Sequence, residues 1–200
     1  MEFLSLASNP IGENVEEFVF ANLTKLRHLN LRNISCPYFS SSMFEHFTKL
    51  DYLDLSENPI EYMPSLPTSI RVLYIGGTNM PLIGDLLMPQ LRVLSMENSP
   101  NITSVVFNNF ENLTQLEIMT FSNSERLSKI SLHRMPFEIL PKLTNLSLRN
   151  CNIETIDAEV MPLIQRIKTV DLRDNPWKCD CKLKWLAAMN LTPELRTHFR

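Results

Sequence analysis

The feature that most constrains this chain is a nine-residue phrase, L-x-x-L-x-L-x-x-N, that recurs from one end to the other. Its first position falls at Met1, Leu26, Leu50, Ile70, Leu91, Leu116, Leu143 and Ile167, at spacings of 25, 24, 20, 21, 25, 27 and 24 residues. The clearest copies are Leu50–Asn58 and Ile167–Asn175. A unit of this length cannot bury its apolar face alone and must stack on its neighbours, which predicts a solenoid of eight coils. In the central L-x-L the side chains alternate, so the leucines point inward and the intervening residues face out. Stacking such segments gives one long parallel sheet.

The ninth position should hold a small polar side chain, because backbone groups of neighbouring turns would otherwise be buried without partners. It reads Asn9, Ile34, Asn58, Thr78, Ser99, Ser124, Cys151 and Asn175. All but Ile34 can hydrogen-bond, and a local distortion is expected there. The segments that return the chain from one strand to the next differ along its length. Phe20, Phe44 and Phe110 each stand six residues before a repeat start, with Leu23, Phe47 and Leu113 between. That spacing suits irregular or short helical turns that pack the rings into a spine behind the sheet. The third and fourth repeats are shorter, and Met63–Ile70 is punctuated by proline, which predicts an extended return. The fifth and sixth share an insertion marked by Ile102 with Val105 and by Leu127 with Ile130.

After the last repeat come Asn175-Pro176-Trp177, then Cys179-x-Cys181, then Leu183, Trp185 and Leu186. The final coil of a solenoid needs an atypical apolar cover. The cysteine pair is open to three readings: half of a disulfide frame, half of a zinc site requiring two more ligands, or reactive thiols. The F-x-x-L-x-x-L-x-x-L-x-L-x-x-N coils followed by N-P-W-x-C-D-C-x-L-x-W-L resemble extracellular leucine-rich-repeat proteins with a cysteine-rich C-terminal flank. Toll-type receptors, Slit-type guidance proteins and many insect adhesion and immune proteins share that arrangement. The resemblance implies an α/β-type horseshoe, with the parallel sheet on the concave face and a mostly irregular or short-helical convex side. Repeats would occupy 1–175 and an incomplete cap 176–200. It further implies that Cys179 and Cys181 form disulfides with cysteines outside this chain, and that the sequence is a fragment at both ends. Cys36 and Cys151 are expected to be buried thiols.

The net charge of −3 offers no basic stripe for nucleic acid or anionic membranes. Gly76-Gly77 lacks the Lys and Ser/Thr of a phosphate-binding loop. No stretch approaches the ~18 apolar residues of a membrane helix. His28, His46, His133 and His198 are scattered, and Asp51 with Asp54 reads as solvated surface charge. No catalytic residue, metal or cofactor is therefore expected. Sequons at Asn22, Asn33, Asn101, Asn112, Asn145 and Asn190 point to a secreted surface. Asn145 lies at an outward third position, so a glycan there would obstruct the concave face.

The outward third positions read Phe3, His28, Tyr52, Val72, Val93, Ile118, Asn145 and Thr169. An apolar column on an exposed sheet, bordered by charge, is the pattern of an interaction site. Ordinary strand preference for Val, Ile and Tyr is the competing explanation. The candidate partner-binding residues are Arg27, His28, Tyr52, Asp54, Arg71, Val72, Tyr74, Arg92, Val93 and Ile118. The expected partner is a protein ligand or co-receptor, which includes homo- or heterodimer formation. The expected setting is extracellular, either secreted or at the cell surface, in innate immunity or cell adhesion and signalling. Against this stand an intracellular scaffold, or the substrate-recruiting part of a ubiquitin ligase, suggested by the short proline-containing coils around Leu66-Pro67.

Overall fold

The computed structural model describes residues 1–12, 15, 16, 18–81, 86–133 and 139–178. Eight of its strands form one parallel sheet: β1 (Phe3–Ser5), β2 (His28–Asn30), β3 (Tyr52–Asp54), β4 (Val72–Tyr74), β5 (Val93–Ser95), β7 (Ile118–Thr120), β9 (Asn145–Ser147) and β10 (Thr169–Asp171). Each occupies the third to fifth positions of its repeat, and the register pairs equivalent positions from coil to coil. Inward leucines such as Leu29, Leu53, Leu73 and Leu94 are fully buried. This is the expected leucine-rich-repeat solenoid. A second, two-stranded parallel sheet joins β6 (Ser104–Val106) to β8 (Lys129–Ser131). It pairs Val105 with Ile130, so the shared insertion in the fifth and sixth repeats forms its own ladder.

The strands are short because the chain turns sharply at the eighth position. There Ser8, Asn33, Glu57, Gly77, Asn98, Asn123, Asn150 and Asp174 all take positive φ, between 51° and 65°. Asn, Asp and Gly tolerate that region best. In every coil but the last the turn aims the eighth-position N–H at the next coil: Glu57 N–H meets Gly76 O at 2.8 Å, and Asn98 N–H meets Ser122 O at 2.9 Å. Gly76 fits here because a Cβ would lie 2.2 Å from Glu97 O.

The ninth position forms the internal polar row. Asn58, fully buried, donates to Leu31 O at 2.8 Å and Leu55 O at 2.9 Å, and accepts from Ile34 and Cys36 N–H at 3.1 Å each. Asn175 repeats the pattern, donating to Leu148 O and Leu172 O and accepting from Ile153 N–H. Thr78, Ser99, Ser124 and Cys151 each bond a neighbouring carbonyl. Each asparagine reaches back one coil, and the apolar Ile34 is covered in this way by Asn58. The distortion expected at Ile34 appears as a second left-handed residue, Ser35, at φ 62°. It follows Asn33 in the same turn, and the Cys36 N–H beyond it bonds the Asn58 side chain.

Behind the sheet the described parts of the returns are irregular, with 3-10 turns at Ser41–Met43, Phe107–Phe110 and Ala158–Val160 and, among the described residues, one short helix, α1 (Met161–Arg166). The phenylalanine rings pack in two groups rather than one spine. Phe20, Phe39, Phe44 and Phe47 make successive contacts, with centroids 5.9 to 6.5 Å apart. Phe110 meets Phe121 at 6.4 Å. Between the groups lie the short returns, where no phenylalanine is present; Met63, Leu66, Leu86 and Met88 there line a cavity of about 380 Å³. Trp177 packs on the last coil and donates its indole N–H to Leu172 O at 3.2 Å. Cys179, Cys181 and the rest of the expected cap lie outside the described residues.

Replacing Asn58 with Ala is expected to cost about 3 kcal/mol, because backbone groups in two coils lose partners at once. The equivalent change at the exposed Asn9 should cost well under half of that. Urea denaturation of the two variants measures the difference.

Candidate functional site

The register of the main sheet brings all ten proposed partner-binding residues onto one face. Third positions form the central column and fifth positions a parallel one, with second positions along one rim and seventh and eighth along the other. The column is not uniformly exposed. Phe3 and Ile118 stand out at 59% and 40% accessibility, while Tyr52, Val72 and Val93 are half-buried by their neighbours.

The first coils carry a continuous aromatic stack. The Phe3 and His28 ring centroids are 4.3 Å apart at 19°, and His28 and Tyr52 are 3.9 Å apart at 8°. Tyr74, at the fifth position, leans toward Tyr52 with centroids 5.5 Å apart and planes at 42°. Stacked rings add to what their buried area contributes and fix one another's rotamers. Phe3 belongs to this site although the candidate residues omit it; its third-position placement was the available signal. Beyond Tyr74, the column continues through Val72, Val93 and Ile118.

One rim is a row of alternating charge. Arg27 lies 3.1 Å from Asp51 and 3.8 Å from Glu2. Arg71 also reaches Asp51, at 3.8 Å, and Arg92 faces Glu117 at 3.5 Å. All are substantially exposed, so the pairs contribute little stability and chiefly hold the long side chains in place. The opposite rim pairs Arg32 with Glu57 at 2.6 Å, a contact foreshadowed by opposite charges one coil apart near the repeat's end. Asp54 corrects the expectation of a solvated surface charge. Its pleat position does point outward, yet it is only 7% exposed, with Tyr52 two residues before it and Tyr74 paired beside it.

The far coils present a hydroxyl-rich surface instead. Thr120 donates to Glu97 at 2.8 Å, and Ser122 and Ser147 hydroxyls lie 2.6 Å apart. Asn145 is half-buried on β9 and accepts from the Thr144 hydroxyl at 2.8 Å. Of the other sequons, Asn22, Asn33 and Asn112 are exposed, with Asn33 in a left-handed turn. Asn101 is half-buried and donates to Asn79 O at 3.0 Å; Asn190 lies outside the described residues. Cys36 and Cys151 are buried free thiols, with burial pushing Cys36 up and Cys151 up to about 11. Among the described residues no group of three or more His, Cys, Asp or Glu could hold a metal, and no helix is long and apolar enough to cross a membrane.

A stack of short-stranded coils with one ordered, chemically varied sheet face defines a protein-interaction solenoid. The Leucine rich repeat family model matches residues 2–60 and the BspA type Leucine rich repeat region (6 copies) model matches 90–174. Together the two matches place leucine-rich repeats over most of the chain. It is similar to keratocan of Gallus gallus and of Coturnix japonica, each 27% identical over 180 residues, covering 86% of this chain. The chain spans 49% of the length of those curated relatives. The crystal structure of human 5T4 (Wnt-activated inhibitory factor 1, Trophoblast glycoprotein) shares the fold, with TM-score 0.64 and 24% identity over 94% of this chain and 76% of that one.

Two measurements follow from this chemistry. Burial lowers the His28 pKa below 6.5, with the Asp54 charge partly opposing. The folded state therefore holds that proton less tightly than the unfolded chain, and stability falls as pH drops below 6.5. An NMR titration should place the His28 midpoint below 6.5, and lower still in Asp54→Asn, which removes the opposing charge. Separately, iodoacetamide should modify Cys36 and Cys151 only after denaturation, because thiolate is the reactive form and both sulfurs are buried and protonated. Intact-mass measurement under native and unfolding conditions checks this.

Proposed function

We propose that this chain is an extracellular protein-recognition module, part of a receptor ectodomain or a secreted protein, acting in innate immunity or cell adhesion and signalling. Its protein ligand or co-receptor docks on the concave face of the first six coils. The observation that carries this reading is the aromatic stack of Phe3, His28, Tyr52 and Tyr74, extended by Val72, Val93 and Ile118 beside the Arg27, Arg71 and Arg92 rim. Large, rigid rings that are already ordered lose little entropy on binding, which makes them effective anchors. The charged rim supplies steering and orientation. A glycan at Asn145 would confine a partner to that half of the face, away from the hydroxyl-rich coils. The exposed sequons and the Cys179–Cys181 resemblance support an oxidising, secretory setting.

Val93→Glu, which places a charge in the middle of the column, is expected to weaken partner binding about ten-fold or more. Tyr62→Ala, on an exposed return segment, should leave it unchanged. Surface plasmon resonance, with thermal melts to verify folding, reads both. Equal affinities in the two variants would reject the concave-face assignment. Unmodified Asn22, Asn33 and Asn112 in protein passed through a secretory host would reject the extracellular one.

A further inference from the structure

The third coil places a carboxylate at three levels across the concave face, with Asp51 on one rim, Asp54 in the centre and Glu57 on the other rim. The second coil answers the outer two. Arg27 lies 3.1 Å from Asp51 and Arg32 lies 2.6 Å from Glu57. The centre is different. Opposite Asp54 the register sets Asn30, whose side-chain oxygen already accepts the Arg32 N–H at 3.0 Å. On its other side the register sets Tyr74. Asp54 accepts the Ser56 N–H at 2.9 Å, and among the described residues it takes part in no ion pair. A carboxylate that is 7% exposed has lost most of its hydration, and one backbone hydrogen bond offsets only part of that cost.

The surroundings suit one kind of occupant. Tyr52 and Tyr74 flank the carboxylate with rings 5.5 Å apart and inclined at 42°. Burial chiefly, with the Asp54 charge and Tyr74 adding to it and Arg32 opposing, pushes the Tyr52 hydroxyl up to about 12. Aromatic faces beside a poorly solvated anion attract a cation, and a planar guanidinium both stacks on rings and pairs with carboxylate. The rim arginines do not fill the position: Arg27 and Arg71 both face Asp51, and Arg32, although the Asp54 charge acts on it, is held by Glu57 at 2.6 Å.

We propose that this central position receives a basic side chain of the protein partner, an arginine guanidinium seated against Tyr52 and Tyr74 and paired with Asp54. The assignment rests on the concave-face reading above and adds the chemistry of the anchor.

Random-sequence peptides displayed on phage provide the test, selected on the whole chain and then compared on Asp54→Asn and Val93→Glu. Asparagine keeps the size of Asp54 and its acceptor for the Ser56 N–H, and thermal melts confirm that both variants are folded. The expected result is enrichment of arginine in the selected peptides, with affinity about ten-fold or more weaker on Asp54→Asn. Substituting citrulline for the enriched arginine should cause a similar loss. Peptides weakened by Val93→Glu but carrying no arginine bias and unaffected by Asp54→Asn would overturn the anchor and leave the concave-face reading standing. Peptides unaffected by either variant, or an empty selection, would overturn both.

Discussion

The whole architecture depends on how the backbone polar groups are satisfied where each coil turns away from the sheet. The strands are too short to satisfy more than their own ladder. The carbonyls and amides just beyond them are buried and need partners, at a cost of roughly 1–3 kcal/mol for each one left without. Left-handed eighth residues and polar ninth residues solve this together. The first aims an N–H at the next coil, and the second bonds carbonyls within its own coil and the preceding one. Because asparagine reaches back a full coil, the row tolerates an apolar Ile34 provided Asn58 stands beside it.

This explains what was legible in the sequence. Leucine spacing set the strands and their face, because period-two alternation and burial leave one register that keeps every leucine inside. The ninth-position row was readable for the same reason, and so was the anomaly at Ile34. The left-handed eighth position was not: it is filled by Ser, Asn, Glu, Gly and Asp, and Ser8 and Glu57 carry no signature for positive φ. The small second sheet was also missed. Its insertion was visible, yet nothing in Ile102, Val105, Leu127 and Ile130 distinguishes pairing from loose packing. The break in the phenylalanine packing could have been anticipated from the absence of phenylalanine between Phe47 and Phe107.

The concave face was legible as a column of side chains but not as an environment. Pattern places Asp54 outward and therefore in water. Its actual surroundings depend on two large neighbours, Tyr52 in the same strand and Tyr74 in the next, and on the lean of one ring toward the other. His28 is similar: a lone histidine in sequence, it becomes the middle member of a stack whose burial sets its protonation. Adjacency between coils decides such properties, and a single repeat does not reveal it.

The unequal returns also set how far the arc opens. On the front, hydrogen bonding holds neighbouring strands ~4.8 Å apart whatever the side chains. On the back, spacing follows the width of what is packed there, and a helical turn is far wider than extended chain. The proline-punctuated Met63–Ile70 return therefore acts as a thin stave, with phenylalanine turns before it and 3-10 turns and α1 further along. A thinner back under the coils where the aromatic stack meets the valine column favours a flatter arc there. The breadth of the opening offered to a partner is thus governed by residues that never touch it.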